Sequence, residues 1–258
     1  MRTPVTDTDS PSETDRGQPL VAHLIELRSR ILKALASVFV IFLPLFYFRN
    51  PIYQYLSEPL RMQMPEGINM IATQVASPFL APFKLTLVLS VFISIPYLLH
   101  QLWAFIAPGL YAREKKVALP LLLSSILLFY SGIAFAFYIV FPLIFAFFSS
   151  QAWEGVTIMT DINHYLDFIL KLFFAFGIAF EIPVATVLLV MTGATDVESL
   201  RNKRPFVIVG CFVVGMLLTP PDVISQILLA IPMWLLYESG IFFSQFVSEK
   251  EDKESSNT

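Results

Sequence analysis

The sequence predicts an all-α, polytopic membrane protein with six transmembrane helices in a cupped, kinked bundle. Of its 258 residues, 56% are hydrophobic and only 14% are charged, and the mean hydropathy is +0.69. This composition excludes an ordinary soluble domain. A helix needs about 20 apolar residues to cross a bilayer. Four runs meet that length: residues 31–48, 78–105, 117–148 and 165–191.

A further apolar stretch, residues 206–243, predicts two helices, because Thr219, Pro220, Pro221 and Asp222 interrupt it. The first of the two, residues 206–219, spans only about 21 Å at 1.5 Å per residue. A short span is accommodated by a thinner bilayer or by packing within the bundle. The prolines near the ends or middles of several spans favour bent helices, which enclose a concavity more readily than straight ones.

The amphipathic segment before the first span carries the first candidate site residues. Residues 23–28 read HLIELR, and the spacing of Leu24, Leu27 and Ile31 predicts a helix lying at the membrane interface. Glu26 and Arg28 are two positions apart and point to different sides of that helix. Two interpretations stay open: a solvated glutamate with a membrane-anchoring arginine, or a pair of binding residues.

Basic residues predict that both termini are cytoplasmic. Thirteen of the 17 basic residues fall before the first span, in the second and fourth loops, or after the last span. They are Arg2, Arg16, Arg28, Arg30, Lys33, Arg113, Lys115, Lys116, Arg201, Lys203, Arg204, Lys250 and Lys253. Only Arg49 and Arg61 fall in the opposite loops, so the positive-inside rule fixes the orientation. Lys84 and Lys171 lie near the outer ends of their spans, where lysine can reach the interface.

The chain divides into a transmembrane domain at residues 20–247 and two polar tails. Residues 1–19 are acidic and rich in Ser, Thr, Asp and Pro, which predicts a disordered cytoplasmic tail without a cleavable signal peptide. Residues 248–258 predict a second disordered cytoplasmic tail.

The loop after the second span combines aromatic and charged residues. Residues 101–116 read QLWAFIAPGLYAREKK, which places Glu114 among three cations and close to Phe105. Aromatic residues at an interface usually anchor the protein in the membrane, and a lone Glu114 is more often a solvated charge. Together with Glu26 on the same membrane face, Glu114 could instead form an acidic site for a cationic ligand.

Glu181 is the most unusual residue of the sequence, because it lies inside the fourth apolar run with no basic residue near it on its helix. An ionisable group at membrane depth is costly and marks a candidate functional site. The charge of its carboxylate must be compensated by a group on another helix, by water or by a bound partner, or neutralised by a proton. Pro183, two residues later, leaves nearby backbone carbonyls without their usual donors.

Two further polar residues flank the start of the last span. Asp222 is placed to cap the helix N-terminus, which is the favoured interpretation. Gln226 lies one turn further on, where an amide either packs against another helix or lines a wet cavity.

Motifs for enzyme chemistry are missing from the sequence. It contains no G-x-x-x-x-G-K-[ST] or H-E-x-x-H motif and no G-x-S-x-G nucleophile turn. The three histidines are far apart in the chain. We therefore expect no enzymatic activity, metal, cofactor or nucleic-acid ligand.

Six ordered segments together resemble the TatC family, the core subunits of the twin-arginine protein translocase. They are residues 23–28, 75–79, 103–114, 176–183, 201–205 and 218–226. The resemblance runs from about residue 18 to residue 246, and we find no departure from the family pattern at the candidate positions.

The resemblance implies a function that composition alone does not give. It implies a core subunit in the bacterial inner membrane that binds twin-arginine signal peptides, assembles as a homo-oligomer with TatA and TatB, and moves folded proteins using the proton-motive force. Glu26 and Glu114 would receive the two arginines, supported by Phe105 and Arg28. Glu181, Met216, Gln226 and Asp222 would belong to intramembrane polar or partner-docking surfaces.

Two other classes of protein remain open from the residues themselves. A small-solute secondary transporter would use Glu181 as a proton-coupling carboxylate. A structural membrane scaffold would use it for a packing hydrogen bond.

Overall fold

The computed structural model describes residues 14–61, 71–106, 115–150, 161–219 and 223–255. Within these ranges the chain is almost entirely helical. In chain order the helices are α1 (Thr14–Tyr47), α2 (Arg49–Arg61), α3 (Ser77–Ile106), α4 (Lys115–Phe135), α5 (Phe141–Ser150), α6 (Ile162–Ala179), α7 (Ile182–Met191), α8 (Val197–Asn202), α9 (Arg204–Leu218) and α10 (Val223–Ser255).

Six helical segments account for the predicted membrane spans. Five are long and apolar enough to cross a bilayer: Leu24–Tyr47, Ser77–Ile106, Leu119–Phe148, Ile162–Met191 and Val223–Phe246. The sixth, α9, is a shorter apolar helix of 15 residues. The predicted all-α, six-span fold is therefore confirmed, including the short fifth span.

Two of the spans are interrupted rather than straight. A π-helical turn, Ala136–Val140, joins α4 to α5 without a break in the chain direction. The fourth span divides at Phe180 and Glu181, where α6 ends and α7 begins. Pro183 lies in the first turn of α7, and proline is tolerated there because that position needs no intrahelical donor.

The first and last helices extend further than the predicted tail boundaries. Helical backbone includes residues 14–19 and 248–255, which the sequence assigned to disordered tails. Lengthening an existing helix adds one backbone hydrogen bond per residue and avoids the cost of nucleation. Residues 1–13 and 256–258 lie outside the described residues.

Close packing between α4 and α6 forms the centre of the bundle. Gly132 of α4 faces the backbone of Phe176, and Gly177 of α6 faces the ring of Phe129. Phe176 is fully buried, and its ring lies 5.5 Å from that of Phe135. The two glycines thus let the helices approach while large rings fill the space beside them, as small residues do at membrane helix interfaces.

Two opposite ends of the bundle are defined by contacts between helices. At one, the Gln101 end, the start of the apolar span in α1 meets the end of α3 through a hydrogen bond between Arg30 and Gln101. At the other, the Asp161 end, the start of α6 meets the segment before α3, where Ile162 donates a backbone hydrogen bond to Ile71.

Asp161 ties the second of these ends together. One carboxylate oxygen accepts hydrogen bonds from the backbone N–H groups of Asn163 and His164, which caps α6. The other accepts from the backbone N–H and the hydroxyl of Thr73. These bonds, led by the one from the Thr73 hydroxyl, lower the pKa of Asp161 to about 2. Asp161 therefore stays ionised at neutral pH and links α6 to the entry of α3.

The bundle has a concave surface in the half nearer the Asp161 end. A cavity of about 580 Å³ opens between α2, α3, α4 and α6, with apolar side chains including Ile52, Leu85, Phe92, Ile133 and Phe173 in its lining. The predicted cupped shape agrees with this cavity.

Replacing Gly132 by alanine tests the α4–α6 contact. A Cβ at this position would lie 2.5 Å from the Phe176 carbonyl oxygen and 3.0 Å from Cγ of Phe180. We expect Gly132→Ala to lower the free energy of unfolding by about 1–3 kcal/mol. Denaturant titration of the detergent-solubilised protein, followed by circular dichroism, measures the change.

Gly210→Ala is the matched control, because an added Cβ at Gly210 of α9 meets nothing within 4 Å. This variant should leave stability unchanged or raise it by up to about 1 kcal/mol, since alanine favours the helix. Equal stability of the two variants would contradict the described α4–α6 packing.

Candidate functional site

The first candidate residue, Glu26, lies at the Gln101 end in an ion pair that joins two helices. Arg30 donates to Glu26 Oε1 from Nε at 3.0 Å and from Nη2 at 2.5 Å. Its Nη1 reaches Oε1 of Gln101 on α3 at 3.5 Å. Because Arg30 bridges the two side chains, α3 orients the carboxylate of α1.

Glu26 remains accessible within this arrangement. Its side chain is 38% exposed and that of Arg30 is 23% exposed, and neither bond from Arg30 uses Glu26 Oε2. The carboxylate is therefore held in place and still able to accept from a further donor. Arg30 is not among the predicted site residues, although its spacing of four residues from Glu26 is the usual one for an ion pair on a helix.

Phe105 and Arg28 lie at the same end of the bundle. Phe105 is half-buried in the last turn of α3, four residues after Gln101, and Arg28 is exposed on α1. Close by, buried Trp103 packs with Leu122 and Val184. The structure thus brings Glu26 to the part of α3 that carries Phe105. Glu114 lies outside the described residues.

Glu181 occupies the turn between α6 and α7, as the residue before the first turn of α7. Its carboxylate hydrogen-bonds with the hydroxyl of Ser125 on α4, which is buried. Its Oε1 is buried and has no hydrogen-bond partner among the described residues. None of the ion pairs found in the described part of the chain includes Glu181.

A neighbouring helix therefore supplies a hydrogen-bond donor to only one of the two carboxylate oxygens of Glu181. Another helix was one of the four partners that the sequence left open for this residue. One carboxylate oxygen has a hydroxyl donor, and the other has no donor in the described structure. A buried polar atom without a partner is destabilising and needs a reason.

Gln226 lies in the contact between α9 and α10. Its Nε2 donates to the carbonyl oxygen of Phe212 at 2.8 Å. Gly215 makes the approach possible, because a Cβ there would lie 3.2 Å from Gln226 Cγ. Of the two interpretations given for this amide, the structure shows helix packing.

The two other predicted residues of this region have different surroundings. Met216, next to Gly215, is 51% exposed on α9 and is therefore available at the bundle surface. Asp222 lies outside the described residues.

Two ion pairs between helices are not predicted by the sequence. Lys84 of α3 lies 3.1 Å from Asp167 of α6, and Arg204 of α9 lies 2.6 Å from Glu238 of α10. Each joins residues that are distant in the chain, so neither follows from helical spacing. Among residues 24–58, 71–106, 119–148, 161–219 and 223–246, no cluster of three or more His, Cys, Asp or Glu side chains could hold a metal ion.

Comparison with known proteins gives one consistent result. The profile of the family described as "TatC: Sec-independent protein translocase protein (TatC)" matches residues 22–232. The chain is 62% identical over 245 residues to the Sec-independent protein translocase protein TatC of Azotobacter chroococcum mcd 1, covering 95% of this chain and 96% of that protein. It is 59% identical over 229 residues to the TatC protein of Escherichia coli strain K12, covering 89% of each.

Solved structures agree with the sequence matches. A crystal structure of the twin-arginine translocase receptor TatC superposes with a TM-score of 0.79 at 37% identity, covering 88% of this chain and 99% of that one. A second, in the detergent DDM, gives a TM-score of 0.80 at 38% identity, with 86% and 99% coverage.

These matches confirm the resemblance that the motifs carried, and the prediction that the chain is no enzyme. The protein is a translocase component, and the chain belongs to the TatC family of Sec-independent protein translocase proteins.

Proposed function

We propose that this chain is the signal-peptide receptor of a twin-arginine translocase, and that it binds two consecutive arginines at the Gln101 end. Solved relatives named as twin-arginine translocase receptors share its fold along nearly their whole length. The observation that carries the proposal is the accessible Glu26 carboxylate, fixed by Arg30 against α3.

The chemistry of Glu26 suits a guanidinium ligand. Carboxylate and guanidinium form short, charge-assisted hydrogen bonds, which are stronger than those between neutral groups. Arg30 already balances the charge of Glu26, so a ligand with two arginines needs further negative charge. Glu114 supplies it in this proposal, with Phe105 and Arg28 shaping the surface around the two carboxylates.

The partner contacts belong to the opposite, intramembrane part of the molecule. We assign Glu181, Met216, Gln226 and Asp222 to surfaces that dock TatA and TatB, and we assign the chain to a homo-oligomeric receptor complex. The exposed Met216 and the incompletely satisfied Glu181 support this assignment. The proton-motive force would then drive the transport of folded cargo.

The family match favours this function over the two alternatives left open by the sequence. The relatives are named as protein translocase components, whereas a solute transporter or a passive scaffold has no support from them.

The proposed orientation places the Gln101 end and both termini in the cytoplasm of a bacterium, across its inner membrane. It rests on the asymmetry of basic residues. Reporter fusions within residues 62–70 and 151–160 should read periplasmic, and fusions after residue 255 should read cytoplasmic. A cytoplasmic reading for residues 62–70 would contradict the orientation.

Charge removal at the two carboxylates tests the receptor site. Each charge-assisted hydrogen bond contributes roughly 1.5–3 kcal/mol, so Glu26→Gln and Glu114→Gln should each weaken binding of a twin-arginine peptide about tenfold or more. Fluorescence anisotropy with the detergent-solubilised protein measures the affinity, and a twin-lysine peptide serves as the ligand control.

Glu198→Gln is the matched protein control, because Glu198 is an exposed carboxylate on α8, outside the proposed site. It should bind the peptide as the unmodified protein does. Undiminished binding by both site variants would move the receptor site elsewhere.

Replacements at Glu181 and its neighbour Ser125 separate docking from internal packing. If Glu181 docks a partner helix, Glu181→Ala should reduce crosslinking to that helix, because the ligand for the unpartnered oxygen is lost. Ser125→Ala removes the internal hydrogen bond and should cost about 0.6–1.7 kcal/mol of stability while preserving the crosslink. Both variants should bind signal peptide normally.

Two results would contradict docking. If crosslinking and transport are unchanged in Glu181→Ala, then Glu181 does not dock a partner helix. Equal losses of crosslinking in Ser125→Ala and Glu181→Ala, in proportion to their lost stability, would show that the carboxylate only supports packing.

A further inference from the structure

A groove between α3 and α6 combines a charged mouth with an apolar floor. Its volume is about 480 Å³. Lys84, Asp167 and Lys171 lie towards the Asp161 end, and apolar side chains continue along the groove: Leu87, Val88, Leu170, Phe174, Ala175, Ile178 and Leu218. The proposed receptor function uses none of these residues.

The mouth carries one uncompensated positive charge. Lys84 Nζ lies 3.1 and 3.3 Å from the two carboxylate oxygens of Asp167. Lys171 is exposed one helical turn after Asp167, and no ion pair in the described part of the chain includes it. The mouth therefore holds two lysines and one carboxylate, and that carboxylate pairs with Lys84.

The depth of these charges makes an anionic ligand favourable. Lys84 lies seven residues after the start of α3 and Lys171 nine residues after the start of α6, which is about 10 and 14 Å along their axes. Both positions lie in the outer third of spans of 30 residues, about two to three helical turns inside the end. A lysine at such depth is costly unless an anion or the interface answers its charge.

The groove has the length of one membrane leaflet. From Asp167 to Ile178 the helix rises about 16 Å, close to half of the roughly 30 Å hydrocarbon thickness. Leu218, the last residue of the short helix α9, lines the groove. Because α9 ends at this point, it does not cover the part of the α3–α6 contact that lies nearer the Asp161 end. Within a bilayer, an apolar groove of this kind is occupied by lipid acyl chains or by apolar side chains of a partner helix.

The size of the groove favours an extended chain over a helix. An α-helix is 10–12 Å wide with its side chains, so a 16 Å length of helix occupies more than about 1,200 Å³. The groove offers about 480 Å³. A helix could therefore only cover its opening, whereas a single acyl chain can lie inside it.

We propose that this groove binds one anionic phospholipid of the leaflet at the Asp161 end. The lipid phosphate accepts hydrogen bonds from Lys171 and Lys84, and one acyl chain lies along Leu87, Phe174 and Ile178 towards Leu218. Asp167 positions Lys84 and prevents two lysines from repelling each other at the mouth.

Native mass spectrometry of the detergent-solubilised full chain tests the proposal with two lipids of matched acyl chains, phosphatidylglycerol and phosphatidylcholine. The unmodified protein should retain phosphatidylglycerol preferentially. Lys171→Gln should weaken its apparent affinity about fivefold to tenfold, and Lys171→Arg should restore it. Lys203→Gln, which removes an exposed charge from the turn between α8 and α9, is the matched control and should bind as the unmodified protein does.

Ala175→Trp tests the apolar part, since it fills the groove and leaves both lysines in place. It should reduce binding of the lipid while the thermal unfolding midpoint stays within a few degrees of that of the unmodified protein. If the variant unfolds, Ala175→Leu provides a smaller obstruction with the same expected direction.

Three results would overturn the proposal. Equal retention of phosphatidylglycerol and phosphatidylcholine would show that the charged mouth does not contribute to lipid binding. Unchanged phosphatidylglycerol binding in Lys171→Gln would place the lipid elsewhere. Displacement of the lipid by millimolar inorganic phosphate would show that the groove contributes nothing beyond the lysines.

Discussion

The absence of water from the hydrocarbon region governs this structure, because every polar group there must find its partner within the protein or in a ligand. Hydroxyl groups meet this demand locally: Thr86, Ser90 and Ser94 of α3 donate to backbone carbonyls three or four residues earlier. Longer side chains meet it between helices, as Tyr130 does by donating to the carbonyl of Phe92. Gln226 and Phe212 repeat this pattern between α10 and α9. These bonds hold together helices whose apolar surfaces gain little from leaving lipid.

A buried polar atom that lacks a hydrogen-bond partner is therefore a candidate contact for a ligand or a partner protein. Among the described side chains, Glu181 is the only carboxylate with a buried oxygen that lacks a donor. It lies where α6 and α7 separate, so the break in the helix and the incomplete pairing occur at one place. Asp161 shows the contrast, since four donors surround its two oxygens outside the spans. The two oxygens of Asp161 are thus satisfied within the protein, whereas Glu181 keeps one oxygen without a donor among the described residues, which agrees with its proposed docking role.

The parts of this fold that the sequence predicts are those set by membrane thickness and by local spacing. Apolar run length predicted the spans, and the pair Pro220 and Pro221 predicted the division between α9 and α10. Glu26 and Arg30 are also within reach of sequence reasoning, because their spacing of four residues places both on one helix face. The ion pair of Lys84 with Asp167 and the bonds of Thr73 with Asp161 join residues 83 and 88 positions apart. No periodicity encodes such contacts, since they depend on which helices become neighbours.

A packed contact links the two candidate functional regions, the Gln101 end and the surroundings of Glu181. Trp103 lies two residues after Gln101 and packs with Leu122 and Val184, and Val184 lies three residues after Glu181. Protein interiors are close-packed, so a side chain of this size cannot move without its neighbours. A ligand that shifts the end of α3 must therefore repack the start of α7, which places Glu181 mechanically close to the proposed peptide site, although no polar bond between described residues joins the two. The α6–α7 break strengthens this link, because α7 can adjust without bending a continuous helix.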